Sequence, residues 1–268
     1  MSGGTAGAAV PTTYLDRILA AHRARAGADT RAVGPLVAEA RAAPPTRGFA
    51  AALRSADGMA VIAEVKRRSP SKGDLHPGLD PAGLARAYEE GGATCLSVLT
   101  DAEFFGGSPG DLRAAREATG LPVLRKDFTV APADVCDARL MGADAVLLIV
   151  AALDDDELRE LHDLAVDVGL DALVEVHDEA ELERARGAGA SLVGVNQRDL
   201  TTFEVDPARA ARVGRAIPAP ALRVAESGIT GPADAAALAA AGFDAVLVGE
   251  LLVTSGDPRA AVAALRSP

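Results

Sequence analysis

One phrase recurs along this chain and limits its folds more than any other feature. A helical stretch closes on Gly, one or two small residues follow, and a short apolar run comes next. It reads GGATCLSVL at 91–99, TGLPVLRKDF at 119–128, MGADAVLLIV at 141–150, VGLDALVEV at 168–176, GAGASLVGVN at 187–196 and AGFDAVLVGE at 241–250. Two further runs, MAVIAEVKR at 59–67 and ALRVAESG at 221–228, lack the Gly lead but have the same strand character. The runs are rich in Val, Leu and Ile without clear alternation, as expected for strands covered on both faces. Between them lie amphipathic stretches such as PAGLARAYEEGG, SPGDLRAAREATG and DDDELRELHDLAVDVG, with acidic residues or Pro at their starts and Gly at their ends.

Strict strand–helix alternation implies parallel strands joined by crossover helices. Eight such units between residues 59 and 268 favour a closed α/β architecture, the (β/α)8 TIM barrel, over an open doubly wound sheet. No GxGxxG follows the first strand, which weakens the dinucleotide-binding version of the open sheet. The expected organisation is an N-terminal helical extension over 1–58 and a catalytic barrel over 59–268. TTYLDRILAAHRARAG, VGPLVAEARA and GFAAALRS read as the helices of the extension, too small to bury enough surface alone and therefore packed on the barrel.

Composition narrows the partners. The net charge of −11 disfavours DNA, RNA and anionic membrane surfaces, so an anionic ligand needs cations concentrated locally. The longest wholly apolar run, AVLLIVAAL at 145–153, is too short to span a bilayer. The start MSGGTAGAAVPTTYL has neither the basic beginning nor the apolar core of a secretion signal, and a cytoplasmic protein is expected. Cys95 and Cys136 form no CxxC pair, and the four histidines show no ligand spacing, so neither a metal nor a cofactor is indicated.

Arg supplies 24 of the 27 cationic side chains, and the three lysines are Lys66, Lys72 and Lys126. Arg stays protonated, whereas Lys is a compact charge able to give up a proton. In a barrel of this kind, reacting groups gather at the C-terminal ends of the strands. Those positions hold Glu64 and Lys66, Lys126 and Asp127, Glu175, Asn196 and Arg198, Glu226 and Ser227, and Gly249 with Glu250. Residues two apart share a strand face, so Glu64 and Lys66 point one way, as do Asn196 and Arg198. Each pair alone could be a solvated rim, but so many ionisable groups at one end imply a ligand or a mutual network. The Gly-bearing turn SGITGPAD after the seventh strand and Gly249 after the eighth suit an anion such as phosphate, and the SPSKG loop adds hydroxyls and an ammonium.

Taken in order, EVKRRSPSKG, LSVLTDAEFFGGS, LPVLRKDF, LVEVHDEAEL, VGVNQRDL, VAESGI and DAVLVGELL resemble the indole-3-glycerol phosphate synthase family of tryptophan biosynthesis, from about residue 59 to the end. Gln197 departs from the family's more frequent NNRDL but keeps an amide. The resemblance implies conversion of 1-(2-carboxyphenylamino)-1-deoxyribulose 5-phosphate into indole-3-glycerol phosphate, CO2 and water. It makes Lys126 the candidate acid at the substrate carbonyl, Lys66 the holder of the anthranilate carboxylate with a share in proton transfer, Glu175 the candidate base of the dehydration and Glu64 the group that orients the lysines and a candidate partner in the second proton step; which lysine acts in which step stays open. Phosphate is then expected on Ser69, Ser227, Gly228 and Gly249, with Lys72 assisting. Asn196, Arg198 and Glu226 are expected at the sugar-phosphate chain or the lysine network, and Phe105, Phe128, Leu148 and Leu200 around the anthranilate ring. The expected partner is a small anionic sugar-phosphate, acted on by a monomer or weak homo-oligomer. The readings left open are another phosphate-handling barrel such as phosphoribosylanthranilate isomerase, a Schiff-base aldolase, and a non-catalytic phospholigand-binding barrel.

Overall fold

The computed structural model describes residues 13–70, 72–199 and 204–266. Eight parallel strands close into a barrel: β1 (Ala60–Val65), β2 (Cys95–Leu99), β3 (Val123–Lys126), β4 (Ala145–Ile149), β5 (Asp171–Val176), β6 (Leu192–Asn196), β7 (Leu222–Glu226) and β8 (Ala245–Val248). Each strand pairs with its sequence neighbours, and β1 closes the ring against both β2 and β8, with Ile62 opposite Cys95 and Leu247. The expected barrel is therefore present, and the open sheet is excluded.

The outer layer contains α4 (Pro81–Glu90), α5 (Pro109–Ala118), α6 (Pro132–Met141), α7 (Asp155–Asp167), α8 (Glu179–Gly187), α9 (Pro207–Ala216), α10 (Pro232–Ala240), the single turn α11 (Glu250–Val253) and α12 (Pro258–Arg266). Their boundaries follow from capping chemistry. Asp80, Ser108, Asp154, Asp178 and Asp206 each accept a backbone N–H of the first turn of the helix that follows. Gly142 ends α6 at φ 94°, a left-handed conformation that a side chain would oppose. The strands are buried almost throughout because helices cover the outside and side chains fill the inside.

Three helices precede the barrel: α1 (Tyr14–Ala28), α2 (Val33–Ala42) and α3 (Phe49–Arg54). α2 lies against α6, and Arg23, Arg31 and Arg41 reach Glu157, Asp137 and Asp167 on the barrel helices. α3 packs beneath the barrel, with Phe49 wholly buried and the Ala50 N–H donating to Asp171 at 2.8 Å. Within the stretch read as a loop after β1, Arg68–Ser69 pairs antiparallel with Gly73–Asp74, a short hairpin whose strands are too brief to show periodicity.

Candidate active site

The strand ends surround a cavity of about 640 Å3. Its lining includes Glu64, Lys66, Ser69, Lys72, Phe105, Lys126, Phe128, Glu175, Asn196, Arg198, Glu226, Ser227, Gly228 and Gly249, so groups expected from six strands converge on one mouth. Leu148 is not among them. It is fully buried, while its neighbours Leu147 and Ile149 line the cavity. Successive strand side chains face opposite sides, and AVLLIVAAL is apolar on both, so the run itself does not reveal which phase turns inward. The expectation for Leu148 is corrected to Leu147 and Ile149. Leu200 lies outside the described residues.

The ionic core has two parts. On β1, Glu64 and the residue just beyond the strand end, Lys66, form a 2.7 Å ion pair. Burial opposes ionisation of Glu64, but Lys66 and Lys126 outweigh it and bring the carboxyl below its usual range. Across the barrel, Lys126 Nζ sits 3.6 Å from Glu226 Oε2 and 3.8 Å from Glu175 Oε2. Burial works against this ammonium; Glu226, Glu175 and Glu64 more than compensate and push it above the ordinary lysine value. Glu226 moves the other way. Burial, then the neighbouring Glu175, push its carboxyl up to about 8 despite the pull of Lys126. The site therefore holds an ammonium kept charged by its glutamate neighbours, beside carboxyls of different proton affinity, a pattern common at functional sites.

Two glycines leave room for this arrangement. A Cβ on Gly194 would collide with Glu226 Oε1, and one on Gly249 would collide with Glu64 Oε2 and crowd Lys66 Nζ. Gly249 was expected as an anion contact; its space-making role beside Glu64 and Lys66 adds to that. Gly194 was missed, although an inward-facing Gly inside a strand is a sequence signal of close approach.

The turn after β7, where an anion is expected, contains Ser227 at φ 65° and Gly228 at φ 70°. A non-glycine residue in the left-handed region costs of order 1–3 kcal/mol and persists where the surroundings demand it. Gln197 is one such demand: buried, it donates from Nε2 to the Ser227 carbonyl at 2.7 Å. The variant residue of the VGVNQRDL motif thus braces the turn. Ser69 Oγ accepts the Lys72 N–H at 3.2 Å, while Lys72 and Glu250 form an exposed pair at 3.6 Å across the rim. Arg198 is anchored at its backbone, whose N–H donates to Asn196 Oδ1 at 3.0 Å.

Phe105 and Phe128 form an aromatic corner with ring centroids 6.3 Å apart. Asp101, missed in the sequence, sets that corner: its Oδ1 accepts the Phe104 and Phe105 N–H groups at 2.6 and 3.2 Å. Its Oδ2 meets His22 of α1 at 3.0 Å, so the extension braces the loop carrying Phe105. His22, Asp101 and Asp127 lie close enough to share a cation. Their oxygens are nonetheless committed to protein donors, with Asp127 accepting from Thr100, Arg125 and its neighbour Phe128. The donor set fits a structural network better than a metal site.

Comparison with known proteins identifies the family. A family model described as indole-3-glycerol phosphate synthase matches residues 15–265. Indole-3-glycerol phosphate synthases of Mycobacterium ulcerans and Mycobacterium tuberculosis are 54% and 52% identical to this chain, each over 95% of it and 94% of the relative. Among solved structures, thiamine phosphate pyrophosphorylase from Pyrococcus furiosus aligns with a TM-score of 0.58 over 78% of this chain and 93% of that one; at 18% identity the likeness speaks for the barrel fold alone. With a family match spanning both the helical extension and the barrel, and 54% identity to a relative over 95% of the chain, this chain belongs to the indole-3-glycerol phosphate synthase family.

Proposed function

We propose that this chain closes the indole ring of 1-(2-carboxyphenylamino)-1-deoxyribulose 5-phosphate, acting as a carbon–carbon lyase that releases CO2 and water. The observation that carries this reading is the Lys126 ammonium between Glu175 and Glu226, facing the cavity.

The aromatic carbon bearing the carboxylate attacks the C2 carbonyl. Lys126 stabilises the charge developing on that oxygen and delivers a proton to it, leaving a hydroxyl. Lys66, held by Glu64, pairs with the anthranilate carboxylate until the C–C bond to it breaks. CO2 then departs, and the electron pair left behind restores the aromatic ring. Dehydration removes the new hydroxyl as water, protonated by an ammonium, while Glu175 takes the proton whose loss forms the indole double bond. Phosphate rests at Ser69, Ser227, Gly228 and Gly249, far enough round the rim to draw the chain of hydroxyls past Asn196, Arg198 and Glu226. Phe105 and Phe128 take the anthranilate face.

The same environment argues against a Schiff-base aldolase, which needs a neutral amine where the surrounding glutamates here favour the ammonium. Every group named comes from one chain, so a monomer or weak homo-oligomer suffices. The phosphorylated substrate and the free thiols Cys95 and Cys136 suit the cytoplasm. The test is direct: purified protein mixed with the carboxyphenylamino-deoxyribulose phosphate, without added metal, should develop indole fluorescence. No fluorescence with intact substrate would refute the assignment.

A further inference from the structure

Behind Glu175, on the side away from Lys126, two buried polar atoms face each other without other partners. His177 lies just past the end of β5, two residues after Glu175 and therefore on the same face. Its Nε2 is 3.6 Å from Glu175 Oε1. Both atoms are buried, and neither has a hydrogen bond among the described residues. Such orphans are rare in folded proteins, and a facing pair calls for a cause.

The other ring nitrogen removes the ambiguity of tautomer. His177 Nδ1 lies 3.0 Å from Glu181 Oε2, and the same oxygen accepts the His177 backbone N–H at 2.7 Å. A carboxylate oxygen accepts, so Nδ1 carries a proton. In a neutral ring Nε2 would then be a lone pair pointed at the lone pairs of Glu175 Oε1, two acceptors buried together. One proton must sit between them. On Glu175 it would block the oxygen of the proposed base; on His177 it makes a second donor.

We propose that His177 is a positioning residue for Glu175: a doubly protonated imidazole, held through Nδ1–H by Glu181, that donates through Nε2–H to Glu175 Oε1 and keeps that carboxylate ionised, with Oε2 turned to Lys126 and the substrate. The charged groups around the ring are Glu175 on β5, Glu181 on α8 and Arg209 on α9. Burial and Arg209 oppose the imidazolium, and the two carboxylates outweigh them, so the ring binds its second proton more tightly than an ordinary histidine. The 3.6 Å separation is too long for a hydrogen bond, and catalytic contacts of this kind tighten when substrate fills the site. The inference rests on Glu175 being the base.

Two measurements test it. In nitrogen-resolved NMR of the intact protein, with the His177 signal assigned by its loss in His177→Gln, both ring nitrogens should be protonated at neutral pH, and Glu175→Gln should make the ring give up its second proton at lower pH. In the assay, His177→Gln keeps an N–H donor without the charge; kcat should fall about tenfold, KM should change little, and the acid limb of kcat/KM should move to higher pH by about one unit. His177→Leu should cost about 100-fold in kcat. A ring that is neutral at pH 7, a titration that ignores Glu175→Gln, or a His177→Gln pH profile equal to that of the unmodified protein would each overturn the pairing. If Glu175→Gln retains full turnover, the base assignment falls, and the role of His177 falls with it.

Discussion

The barrel buries charge at both ends, and the two ends treat it in opposite ways. At the foot, Asp144 is fully buried, with Oδ1 accepting the Arg47 N–H at 2.7 Å and Oδ2 accepting the Val123 N–H at 2.8 Å together with the Arg116 guanidinium. Arg47 in turn donates to the carbonyls of Thr119, Leu121 and Arg116. At the mouth, both oxygens of Glu226 are buried without a hydrogen bond among the described residues, and its ion pair with Lys126 is 3.6 Å long. A buried charge with its lone pairs filled holds a fold together; one left short by its own protein is arranged for something that arrives later.

That contrast can be broken by substitution. The largest effect is expected at the mouth. Lys126→Arg keeps the charge but not a compact, titratable donor, and turnover should fall about 1000-fold or more with the thermal midpoint within about 3 °C of the parent. Near-normal turnover would remove the mouth's claim to chemistry. At the foot the signs reverse: Asp144→Ala strands Arg116 and two backbone N–H groups, and should cost about 3 kcal/mol in urea unfolding while leaving kcat per folded molecule unchanged. A change in kcat without a change in stability would erase the distinction between the two ends.

Smaller effects sharpen it. Gly194→Ala forces a methyl into Glu226 and should lower kcat about tenfold, and a crystal structure should show the carboxylate displaced from Lys126. Gly228 sits at φ 70° with Val205 where its Cβ would go, so Gly228→Ala should raise KM about tenfold and touch kcat less, which a loss confined to kcat would contradict. The smallest effect concerns pH. Glu226 has its folded value raised to about 8 from an ordinary 4.5, so folding takes up a proton in that window. The stability tied to that proton is complete below pH 4.5 and is lost as pH rises through about 8. Glu226→Gln should therefore melt above the parent at pH 9, with the gap vanishing near pH 4. Parallel melting curves across that range would place Glu226 with the satisfied charges of the foot.

Much of the mouth was legible because its signals are local. Glu64 and Lys66 are two apart at a strand end, and Lys126 stands out against an arginine-rich background. Leu148 shows where legibility stopped: in a run apolar on both faces, the inward phase is set by closure against β3 and β5, which no residue of the run encodes alone. His177 was passed over because a single histidine beside charged neighbours has no spacing signature; its meaning depends on Glu181 one helical turn on and Glu175 behind it. Asp101 was invisible for a similar reason, since its partner His22 is 79 residues away.

The order of strands and helices, their caps and the clustering of polar groups at strand C-termini were determined by the sequence itself, because periodicity and capping act within about ten residues. The pairing of Lys126 with Glu175 and Glu226, the room left at Gly194 and Gly249, and the orphaned carboxylate oxygens were decided only in three dimensions. Those depend on distances across a closed ring, and closing the ring brings together side chains that no local interaction could align.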